Sequence, residues 1–391
     1  MISVRELTKI YIPPGEKKAK RWLRRAASAD ERRPAADQVS FDVKRGELFV
    51  IMGLSGSGKS TVLRMLNRLV EPTSGAVEVD GTDLVSAAPR DLRRIRNSTI
   101  NMVFQHFAIF PHRTVLENAA YGLQVRGVDV KERTARATAA LERVGLGDWS
   151  HVLPSSLSGG MRQRVGLARA LATDAEVLLM DEPYSALDPL IRRDMQDLLL
   201  ELQEQLRKTI VFVTHDLNEA MRLGDRIMVM RDGKVIQVGT GSEILSCPAD
   251  DYVADFVSDV DRSRVVTAET VMQEPLITVG PDHHPADALE KVANAEAHGA
   301  YVVTGDGTLV GAISVERLAT ATKSGVTSLQ GLDLTEFKTV EEGTRLMDLM
   351  PLVGTCSVPL GVVDKSRRLI GVIPRAALLK ALAHEGSTSH A

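Results

Sequence analysis

The eight residues 53–60 are Gly53-Leu54-Ser55-Gly56-Ser57-Gly58-Lys59-Ser60, and they match the phosphate-binding pattern G-x-x-x-x-G-K-[ST]. Before this loop, Gly46 to Met52 form an apolar run typical of a buried strand. After it, apolar side chains recur with the spacing of an amphipathic helix. They are Val62, Met65, Leu66 and Leu69. A strand, a glycine-rich turn and a helix start together aim backbone N–H groups at phosphate, so the sequence predicts a nucleotide-phosphate site here.

The loop residues have separate expected roles at a bound nucleotide. Lys59 is expected to contact the β- and γ-phosphates, Ser60 to hold Mg²⁺, and Thr61 to lie near the α-phosphate. Glycines in such a loop let the backbone turn its N–H groups inward. The other residues expected to line the phosphates are Gly53, Ser55, Gly56, Ser57 and Gly58.

Two acids end another apolar run, Val177-Leu178-Leu179-Met180-Asp181-Glu182. Because neighbouring residues at a strand end point in different directions, the two carboxylates can have two roles. We expect Asp181 to help position Mg²⁺ and Glu182 to polarise an attacking water as the catalytic base. The alternative is a solvated strand end.

His215 follows the apolar run from Thr209 to Val213. A lone histidine is more often structural than catalytic, and that alternative stays open. In α/β proteins, however, ligands bind at the carboxyl ends of the strands. We therefore expect His215 to contact the γ-phosphate and to belong to the catalytic group with Lys59 and Glu182.

The composition is that of a globular protein of two or three domains. The 391 residues are 44% apolar and 25% charged, with a net charge of −3, which argues against a protein that coats nucleic acid. The two cysteines, Cys247 and Cys356, have no paired spacing, which suits a reducing compartment. The sequence shows neither a signal-peptide core nor an apolar run near the ~18 residues of a membrane span. We expect a cytosolic protein that meets a membrane through a partner.

Strand and helix signals alternate up to about residue 245, interrupted by a basic insertion near 13–37. This order predicts an α/β domain with a largely parallel sheet. After Asp261 the chain contains a repeat, in which Gly371 follows Gly311 by 60 residues. The predicted organisation is a nucleotide-binding domain over 1–260 and two small β-α repeats over 262–323 and 327–385.

At the start of a helical stretch, Ser158-Gly159-Gly160-Met161-Arg162-Gln163 matches the signature motif of ABC-transporter ATPase subunits, which the chain resembles over residues 1 to about 245. In that family the motif completes the ATP site of the opposite subunit, and a serine with two glycines at a helix start agrees with an anion site. The resemblance implies an ATPase that uses ATP and Mg²⁺ and whose two copies clamp two ATP molecules head to tail.

Three further positions match this family. Gln105, within Val103-Phe104-Gln105, matches the Q-loop, which touches Mg²⁺ and couples to the membrane subunit. Asp188, within Ser185-Ala186-Leu187-Asp188, matches the D-loop. Tyr11 is placed where the family has an aromatic ring that stacks on adenine. The resemblance thus implies further contacts to nucleotide, metal and membrane partner.

The resemblance narrows to the glycine betaine/proline betaine importers. It rests on residues 50–60, on Leu187-Asp188-Pro189-Leu190-Ile191-Arg192, on the insertion before the phosphate loop, and on the C-terminal repeats, which resemble CBS domains. Pro183-Tyr184 departs from the Ala-Phe of many members, so choline, carnitine or another small solute such as an amino acid stays open. The family implies permease subunits as partners, a substrate-binding protein indirectly, and a peripheral location on the cytoplasmic face of the plasma membrane.

Two other classes fit the sequence less well. A soluble ABC ATPase that acts on nucleic acid or ribosomes would be expected to have two ATPase domains or long heptad arms, whereas this chain has one phosphate loop and no sustained heptads. No nucleic-acid partner is therefore expected. A nucleotide sensor that never hydrolyses conflicts with the presence of both Glu182 and His215.

The repeats suggest regulation without a clear ligand. CBS units that bind nucleotides often contain Gly-x-[Ile/Val]-[Ser/Thr]-x-x-Asp. The motif of the first repeat has Arg317 in place of the aspartate. The motif of the second repeat begins at Gly371 and has neither of the two polar residues. Weak or no binding of AMP or ATP is predicted. A basic cluster of Lys365, Arg367 and Arg368 could meet anionic lipid, with a solvated turn as the alternative.

Overall fold

The computed structural model describes residues 1–11, 33–104, 108–258, 263, 266–295, 297–332, 334, 337–355 and 358–383. Most of the predicted basic insertion, Gln105 and Cys356 lie outside the described residues. The chain divides into one compact unit, Met1–Val257, and a second that begins at Ser258. Among the described helices, none has the length and apolar character needed to cross a bilayer.

The first unit combines two sheets with helices. Its strands are β1 (Ile2–Lys9), β2 (Ala36–Val43), β3 (Leu48–Met52), β4 (Ser74–Val79), β5 (Thr82–Asp83), β6 (Ile100–Val103), β7 (Val177–Asp181), β8 (Thr209–Thr214), β9 (Arg226–Arg231) and β10 (Lys234–Gly239). Its helices are α1 (Lys59–Leu66), α2 (Pro89–Ser98), α3 (Val115–Val125), α4 (Val130–Arg143), α5 (Gly159–Ala172), α6 (Pro189–Leu206), α7 (Leu217–Leu223), α8 (Gly241–Ser246) and α9 (Asp251–Val257).

The larger sheet has the strand order β10-β9-β3-β8-β7-β6 and is parallel except for β10. Strands β3, β7 and β8 are buried along their whole length, which agrees with apolar runs covered on both faces. The smaller sheet is antiparallel, in the order β2-β1-β4-β5. One apolar core contacts both sheets, with Phe41 stacked on Phe49 at 5.2 Å between ring centroids.

Helices α3, α4 and α5 pack against one another as a helical subdomain. The start of α3 is fixed by a capping box in which Thr114 accepts the Glu117 N–H and Glu117 accepts the Thr114 N–H. These elements, with the parallel sheet, confirm the predicted α/β class with a helical subdomain.

The helix after the phosphate loop is shorter than predicted. Val62, Met65 and Leu66 are buried as expected, but α1 ends at Leu66 and Leu69 is exposed. The chain leaves the helix axis because Arg68 adopts a positive φ of 56°. The prediction that Leu69 continues the apolar face of this helix was therefore wrong.

The second unit contains two three-stranded sheets, β11-β12-β13 and β14-β15-β16. Its elements are α10 (Ala268–Val271), β11 (Thr278–Val279), α11 (Pro285–Asn294), β12 (Gly299–Val303), β13 (Leu309–Ser314), α12 (Val315–Lys323), β14 (Thr339–Glu341), α13 (Leu346–Thr355), β15 (Leu360–Val363), β16 (Leu369–Ile373) and α14 (Arg375–Ala383).

The two sheets repeat the same register, including one irregularity. Val302 pairs with Gly311 and Val303 with Leu309, and the same shift recurs between β15 and β16. The sheets meet through an apolar cluster that includes Leu309 and Val363, and the Tyr301 hydroxyl donates to the Pro359 carbonyl at 2.9 Å. The two repeats therefore share a packed interface.

Each repeat core is completed by a neighbouring segment of chain. Val266 and Ala268, ahead of the first sheet, lie in the core of the second sheet, and Gln273 exchanges backbone hydrogen bonds with Val372. Leu329, ahead of the second sheet, lies in the core of the first, where Leu334 packs directly on Gly311. The repeat boundaries predicted at 262–323 and 327–385 follow the sequence repeat and stay a prediction.

The predicted basic cluster is partly neutralised. Arg368 forms an ion pair with Asp364 at 2.7 Å, and the Asp364 carboxylate also accepts the N–H groups of Ser366 and Arg368. These hydrogen bonds hold the pKa of Asp364 below its ordinary value. The local structure supports the solvated-turn alternative, and the lipid contact stays a prediction.

Candidate ATP-hydrolysis site

The predicted phosphate, acid and histidine residues meet at one edge of the parallel sheet. Strands β3, β8 and β7 are neighbours in that order, so their carboxyl ends lie side by side. The phosphate loop follows β3, Asp181 ends β7, and His215 follows Thr214 at the end of β8. Parallel sheets bind ligands at this edge.

Close backbone approach explains two of the loop glycines. Gly53 has φ +147°, and a Cβ there would lie 2.2 Å from the Met230 carbonyl oxygen. Gly58 has φ +98°, and its Cβ would lie 2.0 Å from the Ala35 carbonyl oxygen. Both positions therefore require a residue without a side chain.

The remaining loop residues surround the position expected for phosphate. Ser55 and Gly56 are exposed, whereas Ser57 is buried. The Ser57 hydroxyl has no hydrogen-bond partner within the described part of the chain. A buried polar atom without a partner costs free energy, so a ligand oxygen at this loop would satisfy it.

The Lys59 side chain lies inside the loop. Its Nζ donates to the carbonyl oxygens of Gly53 at 2.8 Å and Leu54 at 3.0 Å, and the residue is only 4% exposed. Burial lowers the pKa of the Lys59 ammonium, and the charges of Glu182 and Asp181 oppose that effect. A partly desolvated cation at the loop centre suits binding of phosphate oxygens.

The predicted metal ligands Ser60 and Asp181 are in contact. The Ser60 hydroxyl donates to Asp181 Oδ1 at 2.7 Å, and Asp181 is buried. A hydroxyl and a carboxylate are hard oxygen donors, which fits Mg²⁺ held by few protein groups together with water and phosphate. Arg64 also pairs with Asp181 Oδ2, at 2.9 Å from its Nη2. The sequence analysis did not identify Arg64. Its position one turn after Ser60 on the predicted helix could have indicated that it lies near the same carboxylate.

Glu182 and His215 form a pair at the open side of the site. Glu182 Oε2 lies 3.0 Å from His215 Nδ1, and Glu182 lies just beyond β7 with a positive φ of 45°. Its N–H donates to the Val213 carbonyl, which fixes its backbone against β8. The Glu182 side chain is 20% exposed and that of His215 is 54% exposed, so both can meet a ligand.

Tyr11 lies next to the phosphate-loop helix. Its hydroxyl is 3.5 Å from Thr61 Oγ1, Lys9 Nζ lies 5.2 Å from its ring centroid, and the residue is 55% exposed. An exposed ring beside Thr61 is compatible with stacking on a base. Gln105 lies outside the described residues, so its two predicted contacts remain predictions.

The signature residues start a helix in the other subdomain. Ser158 caps α5 by accepting the Met161 N–H at 3.2 Å. Ser158 and Gly159 are exposed, and a Cβ on Gly159 would have open space. Gly160 is buried, and its Cβ would lie 2.5 Å from Ile191 Cγ2. The helix start thus presents Ser158 and Gly159 to solvent.

Asp188 of the D-loop is exposed and caps α6 by accepting the Ile191 N–H at 3.0 Å. Its loop is bonded to the residue that precedes it at the site, because the Ser185 hydroxyl donates to the Glu182 carbonyl at 3.0 Å. The structure therefore brings Lys59, Ser60, Asp181, Glu182 and His215 together. It places Ser158, Gly159 and Asp188 on exposed helix starts.

Comparison with known proteins agrees with this geometry. A family model for the ABC transporter matches residues 36–185, and a model for the CBS domain matches residues 268–324. The glycine betaine transport ATP-binding protein OpuAA of Bacillus subtilis is 50% identical over 347 residues, which are 89% of this chain and 82% of the relative. The glycine betaine/carnitine transport ATP-binding protein GbuA of Listeria monocytogenes is 44% identical and 97% of each chain is covered.

Solved structures match about three fifths of the chain. A dimeric bacterial ABC transporter cassette is 36% identical with a TM-score of 0.52, covering 61% of this chain and 98% of that one. A dimeric ATP-binding cassette bound to ADP and Pi is 35% identical with a TM-score of 0.53 and the same coverage. Identity is 50% and 44% to two relatives of which 82% and 97% are covered, so the chain belongs to the glycine betaine transport family of ABC-transporter ATP-binding subunits. These subunits are transport ATPases, and this chain also contains CBS repeats.

Proposed function

We propose that this chain hydrolyses ATP to power import of a quaternary-amine osmoprotectant, with glycine betaine as the first solute to test. The observation that supports the chemistry best is the meeting of Lys59, the Ser60–Asp181 contact and the Glu182–His215 pair at one sheet edge. The solute is proposed from the relatives, whose names include glycine betaine, proline betaine and carnitine.

In the proposed reaction the chain mainly positions groups and stabilises charge. The loop N–H groups and Lys59 bind the β- and γ-phosphates, where negative charge is spread during phosphoryl transfer. Glu182 orients and polarises the attacking water, and His215 contacts the γ-phosphate. The 3.0 Å contact between Glu182 and His215 fixes both side chains. Mg²⁺, when held by Ser60 and Asp181, neutralises charge on the phosphates.

Each ATP site is proposed to need two copies of the chain. The exposed start of α5 offers Ser158 and Gly159, an N-terminal helix end that attracts anions. The solved relatives are dimeric, which supports a dimer with the signature of one copy over the phosphate loop of the other. We propose that Tyr11 stacks on the adenine of the same site.

A groove beside the predicted Q-loop is proposed to bind the permease. It measures about 320 Å³ and lies between the helical subdomain and the end of β6. Apolar groups line it together with the cations Arg96, Arg126 and Arg169, and two of the apolar residues, Phe104 and Val125, are exposed. An amphipathic cytoplasmic helix of a membrane subunit fits such a groove, and this contact would hold the protein at the cytoplasmic face of the membrane.

Uptake of radiolabelled glycine betaine tests the proposal. A strain lacking the chain is complemented with wild type or with Glu182→Gln, at low and high external osmolarity. We expect wild type to restore uptake that rises with osmolarity, and Glu182→Gln to restore none while still binding ATP. Uptake that does not depend on the chain would exclude glycine betaine, and competition by choline, carnitine and amino acids would then identify the solute.

A further inference from the structure

Arg192 links the D-loop to the segment that contains His215. It lies in the first turns of α6, and its Nη1 donates to Asp216 Oδ2 at 3.0 Å. Its Nη2 donates to the Leu187 carbonyl at 3.2 Å. Both ionised side chains are about 30% exposed, at 28% and 31%, so solvent screens this pair less than a surface pair. These three residues are called the Arg192 clamp below.

The clamp acts on both neighbours of the catalytic histidine. Asp216, directly after His215, accepts the Glu219 N–H on Oδ1 at 3.2 Å and so caps α7. Its own N–H donates to Thr214 Oγ1 at 2.9 Å. Asp216 is thus bonded to Arg192, to Thr214 and to the first turn of α7, and it is joined to His215 by the peptide bond.

A small cavity lies between the clamp and the catalytic pair. Its volume of about 10 Å³ approaches the space that one water molecule needs. Glu182, His215, Arg192 and the buried Glu219 are among the residues that line it. The Arg192 Nε is buried and has no hydrogen-bond partner among the described residues. The guanidinium therefore faces the same internal space as Glu182 and His215.

We infer that Arg192 is a positioning residue that sets the orientation of His215 according to the position of the D-loop. Leu187 and Asp188 are adjacent, and Asp188 is exposed where a second copy would contact the D-loop. Closure of two copies would move the Leu187 carbonyl, and the guanidinium would transmit that movement to Asp216. The inference rests on the roles proposed above for Glu182 and His215.

The clamp is tested in the full-length protein within its transporter by ATPase kinetics of Arg192→Met, Asp216→Asn and the double variant. Asparagine keeps the α7 cap through its carbonyl oxygen, so Asp216→Asn removes the charge and the Oδ2 acceptor of the Arg192 N–H but leaves the cap. Arg193→Met is the matched control, since Arg193 is the exposed neighbour on the same helix. We expect kcat to fall about 10-fold in each single variant, because small misplacements of catalytic groups are costly. KM for ATP and Tm should stay near those of the control, and the double variant should be no worse than either single one.

Arg192→Lys should recover part of kcat, because lysine can reach Asp216 but cannot form both contacts. A kcat for Arg192→Met within twofold of Arg193→Met would overturn the clamp, as would multiplicative losses in the double variant. A parallel loss of Tm and ATP affinity would show a structural role and also overturn it. Glu182→Gln in the same series separates the two proposals. If Glu182→Gln still hydrolyses ATP at the wild-type rate, the proposed catalytic roles are refuted. If Glu182→Gln is inactive and Arg192→Met is fully active, only the clamp is refuted.

Discussion

The starts of helices α1 and α5 both offer glycines and backbone N–H groups to phosphate, yet they differ in how much of the site is built in advance. At α1, Lys59 is buried and held by two loop carbonyls, and Ser60 is already bonded to Asp181. At α5, Ser158 and Gly159 are exposed. Among the described residues, the Ser158 hydroxyl contacts only the Met161 N–H of its own helix.

The difference indicates that the two helix starts have different partners. The phosphate loop is preorganised by its own chain, so we expect ATP to bind to a single copy. The signature start has an open surface where another chain can approach without a clash. ATP binding should therefore depend on the start of α1, and ATP hydrolysis should also depend on the start of α5. The following variants test this difference.

The largest effect is expected for Gly58→Ala at the preorganised start. The new Cβ would lie 2.0 Å from the Ala35 carbonyl oxygen, which is a steric clash. The φ of +98° at this residue adds backbone strain of about 1–2 kcal/mol for any residue with a side chain. We expect the Kd of a fluorescent ATP analogue to rise about 100-fold. Gly81→Ala is the control, because Gly81 has φ +77° with open space around it and lies outside the loop. Equal affinity in both variants would contradict a preformed loop.

At the start of α5, Gly159→Ala should mainly reduce ATPase activity, whereas Gly160→Ala should mainly reduce stability. Gly159 has open space, so its variant should keep its stability and ATP affinity but lose ATPase activity about 10-fold by obstructing the second copy. Gly160→Ala must displace Ile191, and we expect a loss of about 1 kcal/mol in the free energy of unfolding. Urea unfolding and steady-state ATPase assays measure both. Normal turnover in Gly159→Ala would argue against an interface at this surface.

A smaller effect is expected at Tyr11, which we place beside the adenine. Tyr11→Ala should weaken ATP binding about fivefold, since an aromatic contact contributes about 0.5–1.5 kcal/mol. Tyr11→Phe keeps the ring and should bind ATP normally. If both variants bind ATP like wild type, the ring does not stack on the base.

The smallest effect concerns pH and Glu219, which lines a small cavity together with Glu182 and His215. Burial raises the pKa of Glu219, while hydrogen bonds from Thr214 and Gln196 oppose the shift. The folded state then holds the proton more tightly than the unfolded state, so this stabilisation is complete below about pH 4.3 and is lost as pH rises through the folded pKa. Glu219→Gln should reduce the loss of unfolding free energy between pH 5 and pH 7.5. Identical pH profiles of the two proteins in urea would refute this.

Local patterns predicted the parallel sheet and the group around Lys59, because each motif follows its own apolar strand and strand ends meet at one edge. The exact end of a helix and the packing of one helix on another were not predictable from these patterns. The spacing of Leu69 fitted a longer helix, and only the positive φ at Arg68 shows where the chain turns away. The pairing of Arg192 with Asp216 depends on how α6 packs near α7, which periodicity does not specify.

The interleaved cores of the C-terminal repeats constrain how this region can evolve. Val266 and Ala268 lie in the core of the second sheet, and Leu329 lies in the core of the first. A deletion that begins after residue 324 would remove Leu329 from the first core together with the whole second sheet. A deletion of the second repeat alone would therefore also remove part of the core of the first.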